Sequence, residues 1–166
     1  MSSCCGRRLY TAPVACPARA PCCTTSTLSV PYTAEALSLE SASAFTSTLS
    51  PTMQVVAPCP SAVSLIFTGH LQNVSLASLT VSVVLQYWNV LTPSIVTANT
   101  VPVTATLVED AYVPVAVTLN VTLPAGTYVV RVSVTGDSGD IGEGSATVNA
   151  AGTLNALVAR AGGPIA

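Results

Sequence analysis

The feature that most constrains this chain is a strict two-residue alternation that recurs along its second half. Val115, Val117, Leu119, Val121 and Leu123 alternate with Ala116, Thr118, Asn120 and Thr122. Tyr128, Val130, Val132 and Val134 alternate with Val129, Arg131, Ser133 and Thr135, and Val81, Val83, Leu85 and Tyr87 form a third apolar row. Successive side chains on a strand point to opposite faces, so such rows are the signature of half-buried strands. The β-branched enrichment agrees. Looser alternation predicts further strands over Ala62–Leu71, Val101–Val108 and Leu154–Val158. No window of comparable length has a capped helical period. Turns are expected at Pro58-Cys59-Pro60, Thr92-Pro93-Ser94, Pro124-Ala125-Gly126, Gly136-Asp137-Ser138-Gly139 and Ala150-Ala151-Gly152. Eight or so strands at this spacing predict an all-β sandwich, with a jelly roll favoured over an immunoglobulin-like strand order.

The chain is nearly uncharged. Of 166 residues 7% are charged, against about 25% in ordinary soluble proteins, and there is no lysine. Lysine is the usual guard of an exposed sheet edge, and a net charge of −2 gives little repulsion between copies. A surface of Ser, Thr and Asn with unguarded edges predicts a protein that assembles with itself. Five arginines are too few for a nucleic-acid footprint. No apolar run is long enough for a membrane-spanning helix. Met1-Ser-Ser-Cys-Cys-Gly-Arg-Arg lacks the apolar core of a secretory signal.

Residues 1–23 read differently from residues 24–166. They hold five of the six cysteines, Cys4, Cys5, Cys16, Cys22 and Cys23, with Pro13, Pro17 and Pro21. The prolines disfavour both helix and regular ladder. An extended arm of this length reaches about 75–80 Å, against a body radius of gyration near ~14 Å. Adjacent cysteines point to opposite sides of an extended chain, and bridging them to each other strains disulfide geometry. Three readings follow: a metal site, an internal disulfide knot, and disulfides to other subunits. The spacing lacks the paired C-x-x-C pattern of zinc sites, and His70 is the sole histidine. Inter-subunit disulfides are therefore favoured, with Cys59 as the one cysteine of the body. Its flanking prolines predict an edge or turn position, open to a visiting arm cysteine of another subunit. No cofactor and no metal are expected.

Candidate catalytic patterns are weak. His70, Asp110 and Ser138 follow the chain order of trypsin-like serine proteases, but the residues around each depart from that family's motifs. A Gly/Asp loop explains the same letters, so no catalytic residue is assigned and the chain is not expected to be an enzyme. Asp137, Asp140 and Glu143 lack the EF-hand pattern and read as a solvated loop. Asn73-Val-Ser and Asn120-Val-Thr are glycosylation sequons. Tyr87 and Trp88 read as core or subunit contact.

Cys4-Cys5, ten residues, then Cys16 resembles the N-terminal connector of bacterial endospore appendage (Ena-like) fibre subunits. Pro-Ala-Gly-Thr-Tyr-Val-Val-Arg-Val at 124–132 is similar to the jelly-roll domains that end collagen-like glycoproteins of spore surfaces. The first resemblance implies a jelly roll whose arm inserts into neighbouring subunits of a helical homopolymer, with Cys4, Cys5 and Cys16 as crosslinking positions. Cys22 and Cys23 have no counterpart in that pattern. It also implies a surface filament made without a signal peptide, oxidised after release, and held by an anchoring spore-surface protein. The alternatives are a spore-coat or capsid-like shell protein and a carbohydrate-binding or adhesin sandwich.

Overall fold

A computed structural model of the chain describes residues 25–97 and 103–160. Ten strands and one short helix follow in order: β1 (Ser26–Glu40), β2 (Thr46–Thr48), β3 (Met53–Ala57), β4 (Ser61–Asn73), β5 (Ser78–Asn89), β6 (Thr92–Thr97), β7 (Val103–Val108), β8 (Tyr112–Leu123), β9 (Gly126–Gly136), α1 (Ser138–Ile141) and β10 (Ser145–Arg160). The first sheet has the order β1-β10-β4-β8. In the second, β9 and β5 are central. β2 and β3 pair successive stretches of β9, and β6 and β7 pair successive stretches of β5. All these pairings are antiparallel. The chain crosses from sheet to sheet after β1, β3, β4, β7, β8 and β9. Eight ladder positions wound this way form the jelly roll expected from the alternation.

The alternating rows become the inward faces. Val81, Val83 and Leu85 of β5 and Val130, Val132 and Val134 of β9 meet Leu65, Phe67 and Leu71 of β4 and Val115 and Val117 of β8, all buried. At the centre of the first sheet one row runs Tyr32, Gly152, Gly69, Val115 across β1, β10, β4 and β8. The Phe67 ring lies over the paired glycines, and Tyr32 meets it edge-on at 6.2 Å. The Tyr32 hydroxyl donates to the Pro51 carbonyl at 3.0 Å. Burial, and secondarily the Glu35 carboxylate, raises its pKa to about 12.

Two expected turns are instead strand. Ala150-Ala151-Gly152 lies inside β10, where Gly152 lets β10 and β4 approach more closely than side chains would allow. Thr92-Pro93-Ser94 belongs to β6, and the reversal falls earlier, at Val90-Leu91. There the Asn89 carboxamide oxygen accepts from the Leu91 amide at 2.8 Å, closing the turn. β1 went unmarked in the sequence because its inward residues change parity. Leu28, Val30 and Tyr32 face the core before a register shift between Tyr32 and Glu35, and Leu37 and Leu39 after it.

Candidate assembly surface

Ladder register fixes which loops share an end of the sandwich. At one end lie the starts of β1 and β4 and the ends of β8 and β10: Ser26 pairs with Val158, Arg160 with Ser61, and Ser61 with Leu123. At the other end the strands reverse, and there the carboxylates collect. Glu40 closes β1, Glu109 and Asp110 precede β8, and Asp137, Asp140 and Glu143 occupy the link from β9 to β10. Glu35 lies in the second half of β1, where its carboxylate accepts from the Ser50 amide at 2.9 Å. All seven acidic residues of the chain thus sit toward the end away from the arm. Arg160 is exposed at the end where β1 begins, the end to which residues 1–23 are joined in sequence.

Several acidic groups are already engaged with backbone. The Asp137 carboxylate caps α1 by accepting from the Gly139 amide at 2.7 Å, and Asp140 accepts from the Thr80 amide at 2.7 Å. Among the described residues no group of three or more His, Cys, Asp or Glu side chains is gathered as metal ligands.

Between the charged ends the flanks are almost neutral. The outward face of the first sheet carries Thr, Ser, Ala and Asn, with Ile66 and Leu157 38% and 45% exposed. Near the arm end, Ala62, Ser64, Asn120, Thr122, Leu157 and Ala159 line an open hollow of about 290 Å³. On the second sheet, the Arg131 guanidinium lies 5.3 Å from the Trp88 ring centroid while its Nε donates to Gln86 at 2.7 Å. Trp88 is therefore a half-buried surface residue. Tyr87 turns inward against Tyr128 at 6.3 Å, and burial raises its pKa. Among the described residues nothing pairs with the outer edge of β8 or of the first half of β1.

Cys59 lies where the sequence predicts, in the Pro58–Pro60 bend that crosses from β3 in the second sheet to β4 in the first. The Ser61 hydroxyl donates to the Cys59 carbonyl at 2.7 Å and steadies this bend. Cys59 is disulfide-bonded. Cys4, Cys5, Cys16, Cys22 and Cys23 lie outside the described residues.

The protease-like trio is not brought together. His70 is exposed on the outer face of the first sheet, edge-on to Tyr112 at 5.1 Å. Ser138 opens α1 beside Thr80, Ser82 and Thr135, on the outer side of the other sheet. Stacked sheets are about 10 Å apart, which separates the two groups. The sequons also differ. Asn73 is fully buried, donating to the Leu76 and Leu107 carbonyls and accepting from the Ser75 and Leu76 amides. Asn120 is exposed on β8. The sequence reading missed the gathering of charge at one end, which appears only once strand directions are known.

No family model matches the chain, and no curated protein matches its sequence. Solved structures with a similar architecture include the T13 viral particle of infectious bursal disease virus, at TM-score 0.50 and 11% identity, covering 89% of this chain and 36% of that one. Another is the VP2 subviral particle of the same virus, at TM-score 0.49 and 10% identity, covering 81% of this chain and 33% of that one. The chain thus spans about a third of the length of these relatives. At such identity the likeness concerns the fold alone.

Proposed function

We propose that this chain is a structural, non-enzymatic subunit that polymerises head to tail into a disulfide-crosslinked filament on a spore or cell surface. The observation that carries this reading is the polarity of the body. β1 begins beside the exposed Arg160 at one end, the carboxylates occupy the other, and the flanks between are almost neutral, with edges that no described strand pairs. Unlike ends attract, and a heterologous contact that does not close builds an open fibre. The resemblance of the arm to endospore appendage connectors supports the same direction of assembly. In that reading the arm adds to a neighbour's open sheet edge by main-chain hydrogen bonds, and its outer cysteines make the links permanent.

Negative-stain microscopy of the oxidised full-length protein tests it, with long fibres as the expected image. Non-reducing gels of those fibres should show a ladder that collapses with reductant. Monodisperse single subunits would refute assembly. A closed or layered shell is the second reading, favoured by the likeness in fold to viral particle proteins, and closed particles in the same image would select it.

A further inference from the structure

We propose that the outer face of the first sheet docks on the same face of a second copy, with the Tyr112 ring of each filling a hollow in the other. Ladder register lays this face out in rows. Tyr112, Gln72 and Asn149 form one row across β8, β4 and β10, and Thr122, Ala62 and Ala159 form another. The first row lies toward the carboxylate end and carries a knob. Tyr112 is 66% exposed and stands edge-on against the exposed His70 ring at 5.1 Å. The second row lies at the Arg160 end. It lines the open hollow of about 290 Å³, together with Asn120 and Leu157.

A knob at one end of a face and a hollow at the other match under a single operation. A two-fold axis lying in the contact plane, across the strands, sets β8 over β8 running the opposite way. Each Tyr112 then meets the Thr122 row of its partner, and the contact occurs twice, as an isologous interface requires. Within one chain Tyr112 cannot fill its own hollow. Thr122 is ten residues further along the same strand, about 34 Å away.

Size and charge both select a second copy as the occupant. Four strands about 4.8 Å apart and about 40 Å long make a face of about 750 Å². Each partner in a stable complex contributes about 800 Å². Between the two rows the outward residues of β4, β8 and β10 include no Asp, Glu, Lys or Arg. A charged partner would find nothing there to pair with, and two copies find nothing to repel. Ile66 and Leu157, 38% and 45% exposed, give the face apolar surface to bury. The reversed orientation also sets each carboxylate end beside the Arg160 end of the other copy, so unlike charges adjoin. In a fibre this contact joins two filaments side by side in opposite directions. That consequence rests on the filament reading; the contact itself does not.

Photocrosslinking of the full-length chain tests it. Light and isotopically heavy chains carrying Tyr112→p-benzoylphenylalanine are mixed, irradiated, and digested for mass spectrometry. The expected result is a link from position 112 to residues 62–64, 120–122 or 157–159 in light–heavy hybrids. A link to residues 1–23, a link elsewhere on the body, or no link would overturn the pairing. Ala62→Arg fills the hollow from an exposed position, so circular dichroism and the unfolding midpoint should not change. It should lower the yield of that link about tenfold or more, as loss of a central aromatic anchor does. An undiminished yield would show that Tyr112 does not seat there. Microscopy of the same samples keeps the two ideas apart. Linked pairs without fibres would remove the filament and keep the contact, and fibres without the link would do the reverse.

Discussion

Gly69→Ala offers the sharpest test of how the first sheet is held together. A Cβ on Gly69 would overlap the Ala151 carbonyl oxygen and lie 2.9 Å from the Gly152 Cα and 3.0 Å from the Phe67 ring. The obstacle is mostly backbone of the neighbouring strand, which cannot rotate away as a side-chain tip can. Overpacking of this kind costs about 1–3 kcal/mol, and a backbone obstacle belongs at the upper end. Alanine recovers about 0.4–1 kcal/mol by restricting the unfolded chain. The net expectation is a loss of about 2 kcal/mol, or roughly 6–10 °C in Tm for a body of this size. Gly152→Ala meets the Thr68 carbonyl and the Gly69 Cα in the same way, so the double variant should cost less than the sum. Gly144→Ala is the control, because its nearest neighbour is the Ile141 carbonyl oxygen at 3.7 Å and no change beyond about 0.5 kcal/mol is expected. Guanidinium unfolding under reducing conditions, followed by the fluorescence of Trp88, reads all four. A Gly69→Ala midpoint equal to wild type with unchanged m would refute the close-approach argument.

Three other outcomes follow from particular contacts. Asn73→Ala should cost about 2–4 kcal/mol, since it orphans the buried Leu107 carbonyl and two amides of the 74–77 loop; a midpoint shift under ~0.5 kcal/mol in the same unfolding assay would contradict it. Stability should hold below about pH 10 and decline from there toward pH 12, because the Tyr32 hydroxyl keeps its proton in the folded state to about 12 and releases it earlier when unfolded. Tyr32→Phe should lose that alkaline step, and an unaltered pH profile would assign the step elsewhere. Deleting residues 1–23 should leave a β-rich circular dichroism spectrum, since β1 begins at Ser26, while fibres vanish; an unfolded truncation would make the arm part of the fold.

The legible parts of the fold were those where one side of a strand is uniformly apolar. β5, β8 and β9 read directly because every second residue enters one core. β1 did not, because a bulge exchanges its inward parity midway. β10 read as a short strand because Gly152, a residue that usually marks a turn, here serves a close contact with Gly69. β2 and β3 escaped because each is too short to show a period, at three and five residues. The turn position of Cys59 was readable from its two prolines. Its place at the same end as the start of β1 was not, because that depends on which strands are neighbours.

The same dependence explains why charge, the scarcest resource of this chain, gave no signal until the strands were laid out. In the sequence Asp137, Asp140 and Glu143 read as a solvated loop, and Glu40, Glu109 and Asp110 stand far from them. Placed in a jelly roll, alternate turns fall at alternate ends, and these residues occupy turns of one parity. A sandwich without lysine has little to keep its open edges from pairing indiscriminately. Charges of one sign at one end impose an order on that pairing, because two acidic ends repel and an acidic end beside an arginine-bearing one does not. In the proposed fibre, neutral flanks would supply adhesion and the ends direction. Reversing the sign at Arg160 should therefore slow fibre growth at low salt, and an unchanged rate for Arg160→Glu, measured by light scattering, would show that the ends do not steer assembly.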